Sequence, residues 1–325
     1  MIKYPFILTD FAHVGSQGFA VSDESWFQDE LALCRDWGFP LKISDGRIRI
    51  SYDDEMLIPC WIQDETPAIA WNGLRVSGFL RIDSTNREAC DQARAGAPEG
   101  TLVYSEKQMA GKGRLNRNWF SAAGKGIYSS LILRPSQPLE FWPILTHVAA
   151  VALIDALKCT ERDIKFPKPL NIDLKWPNDV LLDGKKCAGI LLETLMSDDD
   201  KAAAIIGLGI NVHHGSVPEE LAGDAACVDG ATGVIIPRRR LLIRFLKYFQ
   251  NGYRLFNEGK FEEILDRWKG FSSMWHGAPV TLFESERTRS AVTCGLDEIG
   301  ALRVRFPDGS VETVLAGDVR IRPQA

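Results

Sequence analysis

The sequence predicts an α+β fold: a mixed β-sheet with helices, followed by a small β-barrel. Three observations predict it. From about residue 76, apolar strand patterns alternate with helical spacing and polar loops. Within that stretch, residues 148–154 are apolar on almost every helical face, so the helix containing them must be covered by other elements. Beyond Trp275, short strands recur between turns at Gly277, Gly295, Gly300, Asp308-Gly309 and Gly317-Asp318, and about fifty such residues suit a barrel.

Residues 1–75 form an acidic N-terminal segment, with six Lys or Arg (3, 35, 42, 47, 49, 75) against twelve Asp or Glu. Residues 25–37 have helical spacing, Gly38-Phe39-Pro40 stops it, and residues 41–50 alternate about Asp45-Gly46 as a β-hairpin. A helix followed by such a hairpin resembles the end of a winged helix. Residues 76–274 then read as strand 76–82, helix 86–96, strand 101–105, a long polar loop, strand 127–133 and helix 139–158. Strands follow at 172–175, 180–182, 187–195 and 202–207, with turns at 183–186 and at Asp198-Asp199-Asp200. Residues 238–258 read as a helix with Leu242, Phe245, Phe249 and Phe256 on one face, and its leading Arg238, Arg239 and Arg240 are expected to form a solvated first turn. Residues 275–325 make the barrel.

Composition bounds the function. With 325 residues, 45% hydrophobic and 25% charged, the chain can bury a large core in two or three domains. A formal net charge of -5 argues against bulk attraction to nucleic acid or anionic membrane, so the cations that matter are local. No apolar run is long enough to span a bilayer and no secretion signal opens the chain, which makes the cytoplasm the expected location. Seven scattered cysteines without a Cys-x-x-Cys are expected to be reduced and mostly buried. The pair His213-His214 lacks metal-site spacing, and no protein-held metal is expected.

Chemistry concentrates in three places. In Lys175-Trp176-Pro177-Asn178-Asp179-Val180 a lysine leaves an apolar strand into a turn that Asn and Asp side chains can lock, which keeps the lysine aimed. Upstream, residues 111–119 bring Gly111 and Gly113, whose backbone N–H groups can meet an anion, beside Lys112, Arg114 and Arg117, with Trp119 as a flat apolar surface. Such a loop should take a doubly anionic ligand with a planar or bicyclic part. It is not a Walker A loop. The third place, Asp83-Ser84-Thr85-Asn86, ends a strand and starts a helix, so its hydroxyls serve as an N-cap, as ligands for a polar head group, or as both.

Ser84-Thr85-Asn86, Gln108 with residues 111–119, residues 175–180, Lys186-Cys187-Ala188-Gly189-Ile190-Leu191 and Gly207-Leu208-Gly209-Ile210-Asn211-Val212 stand in the order and spacing of the biotin protein ligases. The resemblance covers residues 76–325, including Gly300-Ala301-Leu302 and Gly317-Asp318-Val319 near the end. It implies a class II synthetase-like catalytic domain with an SH3-like C-terminal barrel, and a two-step reaction. The biotin carboxylate attacks the α-phosphate of ATP, and an acceptor lysine on a biotin carboxyl carrier protein then takes biotin from biotinyl-5′-AMP. The resemblance makes Lys175 and Arg114 catalytic. It gives biotin to Ser84, Thr85, Asn86, Gln108, Gly111, Lys112, Gly113, Lys175 and Gly189. The nucleotide falls to Arg114, Arg117, Trp119, Asn178 and Asn211. ATP and biotin are the implied ligands, with Mg2+ accompanying ATP, and a homodimer through the sheet is a further implication.

Two positions depart from the family's Gly-Arg-Gly-Arg-x-Gly-Arg loop: Lys112 stands for the first Arg and Asn116 for the last Gly. Lysine keeps charge without the bidentate fork, and Asn tolerates left-handed backbone. The alternatives are a lipoate or octanoate ligase or transferase on the same fold, with Cys187 as the nucleophile an octanoyl transferase needs, and a biotinyl-AMP-responsive transcription regulator. Cys187 lies in an apolar strand and reads as a packing thiol. The N-terminal segment is expected to be a degenerate winged helix that lacks its recognition helix and does not bind DNA.

Overall fold

A computed structural model describes residues 1–5, 8, 19–50, 55–66, 74–115, 117–196, 202–283, 288–315 and 320–323. The expectations for Asn116, for the 198–200 turn, for residues 317–319 and for half of the chain before Ser25 lie outside the described residues.

The chain opens with β1 (Ile2–Lys3), β2 (Phe19–Ala20), α1 (Ser25–Asp36), β3 (Leu41–Ser44), β4 (Arg47–Ile50) and α2 (Pro59–Glu65). Next come β5 (Arg75–Ile82), α3 (Thr85–Arg94), β6 (Thr101–Gln108), β7 (Gly126–Leu133) and α4 (Ile144–Ile164). Strands β8 (Ile172–Lys175), β9 (Asp179–Leu182), β10 (Lys185–Leu195) and β11 (Ala203–Asn211) precede α5 (Val228–Thr232), α6 (Arg238–Asn257) and α7 (Phe261–Lys269). The chain closes with β12 (His276–Phe283), β13 (Thr288–Leu296), β14 (Leu302–Arg305), β15 (Val311–Val314) and β16 (Arg320–Pro323).

An eight-stranded sheet in the order β1-β5-β6-β7-β11-β10-β9-β8 carries the site. It is mixed: β5 and β6 run parallel, and the other neighbours are antiparallel. Strand β7 is buried along its whole length because both faces are covered. Its alternating side chains divide between two cores, Ile132 packing with Ala89 and Ala93 of α3, and Leu131 and Leu133 packing with α4 and α6. The expected small C-terminal β-domain is a five-stranded antiparallel sheet, β15-β14-β13-β12-β16.

The expected hairpin is present, β3 joined to β4 by Asp45 at φ 54° and Gly46 at φ 66°, the left-handed pair that a tight two-residue turn requires. The long helix differs from expectation at both ends. Residues Leu139–Phe141 form a 3-10 turn, and α4 starts after Pro143, whose ring would clash with the carbonyl of residue 139 inside a helix. It then runs to Ile164, past the expected end, because Thr160 is buried and its hydroxyl accepts from Arg244 of α6 at 2.7 Å.

The arginine triplet corrects the expectation of a solvated first turn. Arg238 is 4% exposed and Arg239 fully buried, while Arg240 is exposed. Arg238 pairs with Glu55 and, at 2.6 Å, with Glu106, and donates to the Gly126 carbonyl at 3.2 Å. Arg239 pairs with Glu65 at 2.9 Å and lies over the Trp61 ring. Each partner comes from a segment far away in the chain, so the spacing on α6 alone could not reveal them. Tyr4, following β1, donates to Glu106 at 2.5 Å, so the N-terminal residues enter the same buried network.

His213 extends it, with Nδ1 2.7 Å from Asp229 and Nε2 2.9 Å from Glu55. Burial would lower its pKa, but the hydrogen bonds to Asp229 and Glu55 outweigh that and raise it to about 9. A raised folded value contributes stability that is complete below the ordinary 6.5 and is lost as pH rises through about 9. The contribution is on the order of 3 kcal/mol. Urea denaturation is expected to show stability falling by that order between neutral and about pH 9.5, with His213→Gln removing most of the slope. Equal slopes in the two proteins would take His213 out of this account.

Candidate active site

A cavity of about 220 Å³ opens over the middle of the large sheet, and the loop 111–119 forms one wall. That loop is a small hairpin. Gly113 N donates to the Arg117 carbonyl at 2.7 Å, Trp119 N to the Gly111 carbonyl at 2.8 Å, and Lys112 bridges Asn118. Leu115 takes the left-handed backbone, at φ 53°.

The floor is glycine. Gly189 of β10 and Gly209 of β11 are direct cross-strand partners, and Gly207 lies two residues along on the same face. A methyl group at Gly209 would sit 2.5 Å from the Trp119 ring and one at Gly189 3.0 Å from it, so the indole lies flat where two side chains are missing. A methyl group at Gly207 would strike the Asn86 amide.

A neutral polar cluster lines one part of the cavity. Ser84 caps α3, its side chain accepting from Arg87 N at 3.5 Å. Thr85 donates to Gln108 Oε1 from its backbone N at 2.8 Å and from its hydroxyl at 3.1 Å. Ser130 of β7 lies 2.8 Å from the Thr85 hydroxyl and 2.5 Å from Asn86 Oδ1, and Asn86 donates to Glu193 at 2.7 Å. The Gln108 amide nitrogen donates to Ser121.

Charge dominates the other part. Lys112, Arg114, Arg117, Lys175 and Lys186 all line the cavity, with Asp179 as the one carboxylate among the lining residues. Lys186 Nζ is 2.6 Å from Asp179 and 5.3 Å from the centre of the Trp119 ring. Arg114 Nη1 donates to Asn178 Oδ1 at 3.4 Å, and its Nη2 is buried with no acceptor among the described residues. Burial draws the Arg114 guanidinium below its ordinary pKa, and Asp179 opposes the shift. Asn178 in turn locks its turn onto β10, donating to the Ile190 carbonyl at 2.5 Å while its own carbonyl accepts from Ile190 N.

Of the residues singled out in the sequence, Ser84, Thr85, Asn86, Gln108, Lys112, Gly113, Arg114, Arg117, Trp119, Lys175, Asn178 and Gly189 all line this one cavity. Gly111 and Asn211 do not. Gly111 backs the loop, where a methyl group would meet the Trp119 carbonyl at 2.6 Å, and Asn211 is buried at the end of β11 opposite Gly126. Lys186, Gly207 and Gly209 line the cavity without a role expected from sequence, and Asp179, expected to lock its turn through backbone bonds, pairs instead with Lys186. The glycine spacing of two was readable as a cleared strand face. Lys186 was hidden by a bulge: the β9–β10 register shifts between Lys186 and Ala188, and the extra residue turns Lys186 to the face of Gly189, against which its stem packs.

The chain matches the model of the biotin/lipoate A/B protein ligase family over residues 78–211. It is 35% identical over 242 residues to the bifunctional ligase/repressor BirA of Bacillus spizizenii, covering 74% of this chain and 72% of that relative. This chain belongs to the biotin protein ligase family. Membership makes it an enzyme and a ligase. It is also 33% identical over 235 residues to the biotin–acetyl-CoA-carboxylase ligase of Paracoccus denitrificans, covering 71% of this chain and 94% of the relative. In structure it is similar to the biotin protein ligase of Aquifex aeolicus solved with biotin and ATP, with a TM-score of 0.63 and 28% identity over 77% of this chain and 99% of the other.

Cys187 is fully buried, and burial pushes its thiol up to about 12, far from a nucleophile at neutral pH. Native protein treated with iodoacetamide at about pH 8 is therefore expected to carry no label on Cys187 until urea is added, as read by peptide mass mapping. Native labelling of Cys187 would return the acyl-cysteine reading to contention.

Proposed function

We propose that this chain joins biotin to a lysine of a biotin carboxyl carrier protein through biotinyl-5′-AMP. The observation that carries the reading is the meeting of Lys175, Lys186 and Arg114 in one cavity beside a neutral hydrogen-bonding cluster. Biotin's carboxylate and the ATP phosphates repel one another, so a site that joins them must supply cations from several directions. Lys175 and Lys186 would offset that repulsion and stabilise charge growing on the α-phosphate. The buried Nη2 of Arg114 lacks an acceptor among the described residues, as a donor reserved for the adenylate would. Ser84, Thr85, Asn86 and Gln108 offer donors and acceptors that suit a ureido ring, whereas the chain of a lipoyl or octanoyl group carries no polar group to meet them. Trp119 gives an apolar plate for the bicyclic ring or the adenine, and Mg2+ enters as part of the nucleotide substrate.

The test is incubation with biotin, ATP, Mg2+ and a carboxyl-carrier domain, probed with streptavidin. Lys175→Ala and Lys186→Ala are each expected to slow adenylation by roughly 10²-fold or more. Arg114→Gly is expected to release the intermediate, so that bystander lysines become labelled. Equal labelling by all four proteins would refute these roles.

The bifunctional relative raises a second reading, DNA-linked regulation. Helix α1 exposes Asp29, Arg35 and Asp36, and acids outnumber bases two to one in residues 1–75, a surface that repels phosphate. No DNA binding is expected, and a salt-sensitive, biotinyl-AMP-dependent gel shift of an operator fragment would overturn that.

A further inference from the structure

Lys175 sits on β8, the last strand of the large sheet, paired on one side only, with β9. An edge strand is a poor place for a side chain that must be aimed, since its outer N–H and C=O groups lack a ladder. Here the outer side is gripped by the junction between α7 and β12. Leu174 N donates to the Phe271 carbonyl at 2.9 Å, and the Ser272 hydroxyl donates to the Leu174 carbonyl at 2.7 Å. Ser273 donates to Asp173 twice, from its backbone N at 2.8 Å and its hydroxyl at 2.6 Å. Trp176 N points at Met274 Sδ, 3.2 Å away.

The grip continues into the C-terminal domain. The Trp176 indole is 3% exposed, and its Nε1 donates at 3.0 Å to the carbonyl of Gly300, in the turn between β13 and β14. Gly300 has φ 80°, and a methyl group there would lie 2.7 Å from the buried His147 ring of α4, so its carbonyl cannot easily be presented from another position. On the other side of Trp176, Asn178 holds both β10 and Arg114. A continuous path therefore runs from Gly300 through Trp176 to Asn178 and Arg114, with Lys175 inside it.

We propose that Trp176 is a positioning residue for adenylation, and that the C-terminal domain aims Lys175 and Arg114 through its indole bond to Gly300. The inference rests on the ligase reading above. Its role is geometric, since displacement of reacting groups by about 1 Å can cost as much as 10²-fold in rate. The neutral cluster at Ser84, Thr85 and Gln108 is separate from the path, so biotin affinity should be spared.

The test compares unmodified protein, Trp176→Phe, which keeps an aromatic ring but cannot donate, and Met274→Leu, which keeps volume but removes the sulfur. Biotin-dependent pyrophosphate release is measured with circular dichroism melts of each. Trp176→Phe is expected to lower kcat by about tenfold or more with the biotin KM within about twofold, and Met274→Leu to lower kcat by a smaller factor, while both remain folded at the assay temperature. An unchanged kcat in folded Trp176→Phe, or a fall in both variants that only follows the fraction folded, would overturn the positioning role while leaving the ligase reading intact. No pyrophosphate release from the unmodified protein would overturn the ligase reading and this inference with it.

Discussion

Mutual repulsion among cations is the constraint on which the rest of this structure turns. Five basic side chains line a cavity of about 220 Å³ beside one carboxylate, in a protein whose formal net charge is -5. Two like charges about 4 Å apart near a protein surface repel by about 4 kcal/mol. Arg114, Lys175 and Lys186 are half-buried there while Lys112 and Arg117 reach solvent, and a ligand with several anionic oxygens would relieve the repulsion on binding. Lys175 leaves an edge strand held on its outer side, Lys186 leaves a bulge, and Arg114 leaves a hairpin closed by backbone bonds. Asp179 serves two of the cations at once, pairing with Lys186 and countering the desolvation of Arg114.

The same constraint explains the glycines. A cavity ringed by long basic side chains must have its depth cleared elsewhere, and the strand period of two allows that at little cost. With Gly207 and Gly209 on β11 and Gly189 opposite Gly209, one face of two central strands is cleared at three positions while Leu208, Ile190 and Ile210 on the other face stay in the core. The sheet keeps its packing and gains a floor on which Trp119 lies.

Much of this was legible in sequence, where local chemistry decides local structure. The Asp45-Gly46 turn, the Ser84 cap, the strand at residues 127–133 and the cover required by α4 each follow from residues adjacent in the chain or one turn apart. What escaped depends on partners brought from a distance. Arg238 and Arg239 look like a solvated first turn until Glu55, Glu65 and Glu106 arrive to neutralise them, and nothing in α6 announces those three. Helix α7 is a different case: Phe261, Ile264, Leu265 and Trp268 stand at helical spacing, so its pattern is local and present in the sequence. Lys186 was lost to a single shift in register, since a plain count of two along β10 puts it on the wrong face.

The departure at Lys112 is better judged with the loop's hydrogen bonds in view. Sequence comparison frames the change as the loss of a bidentate guanidinium, which would matter most if that side chain built the turn. It does not build it, because the bonds that close the hairpin join backbone atoms of Gly111, Gly113, Arg117 and Trp119, and Lys112 itself is exposed. The left-handed residue described there is Leu115, a costly choice for a branched side chain, and one that persists because the backbone bonds on either side of it fix the turn. A lysine at position 112 therefore changes the shape of the charge at the cavity and leaves the loop's geometry to its backbone.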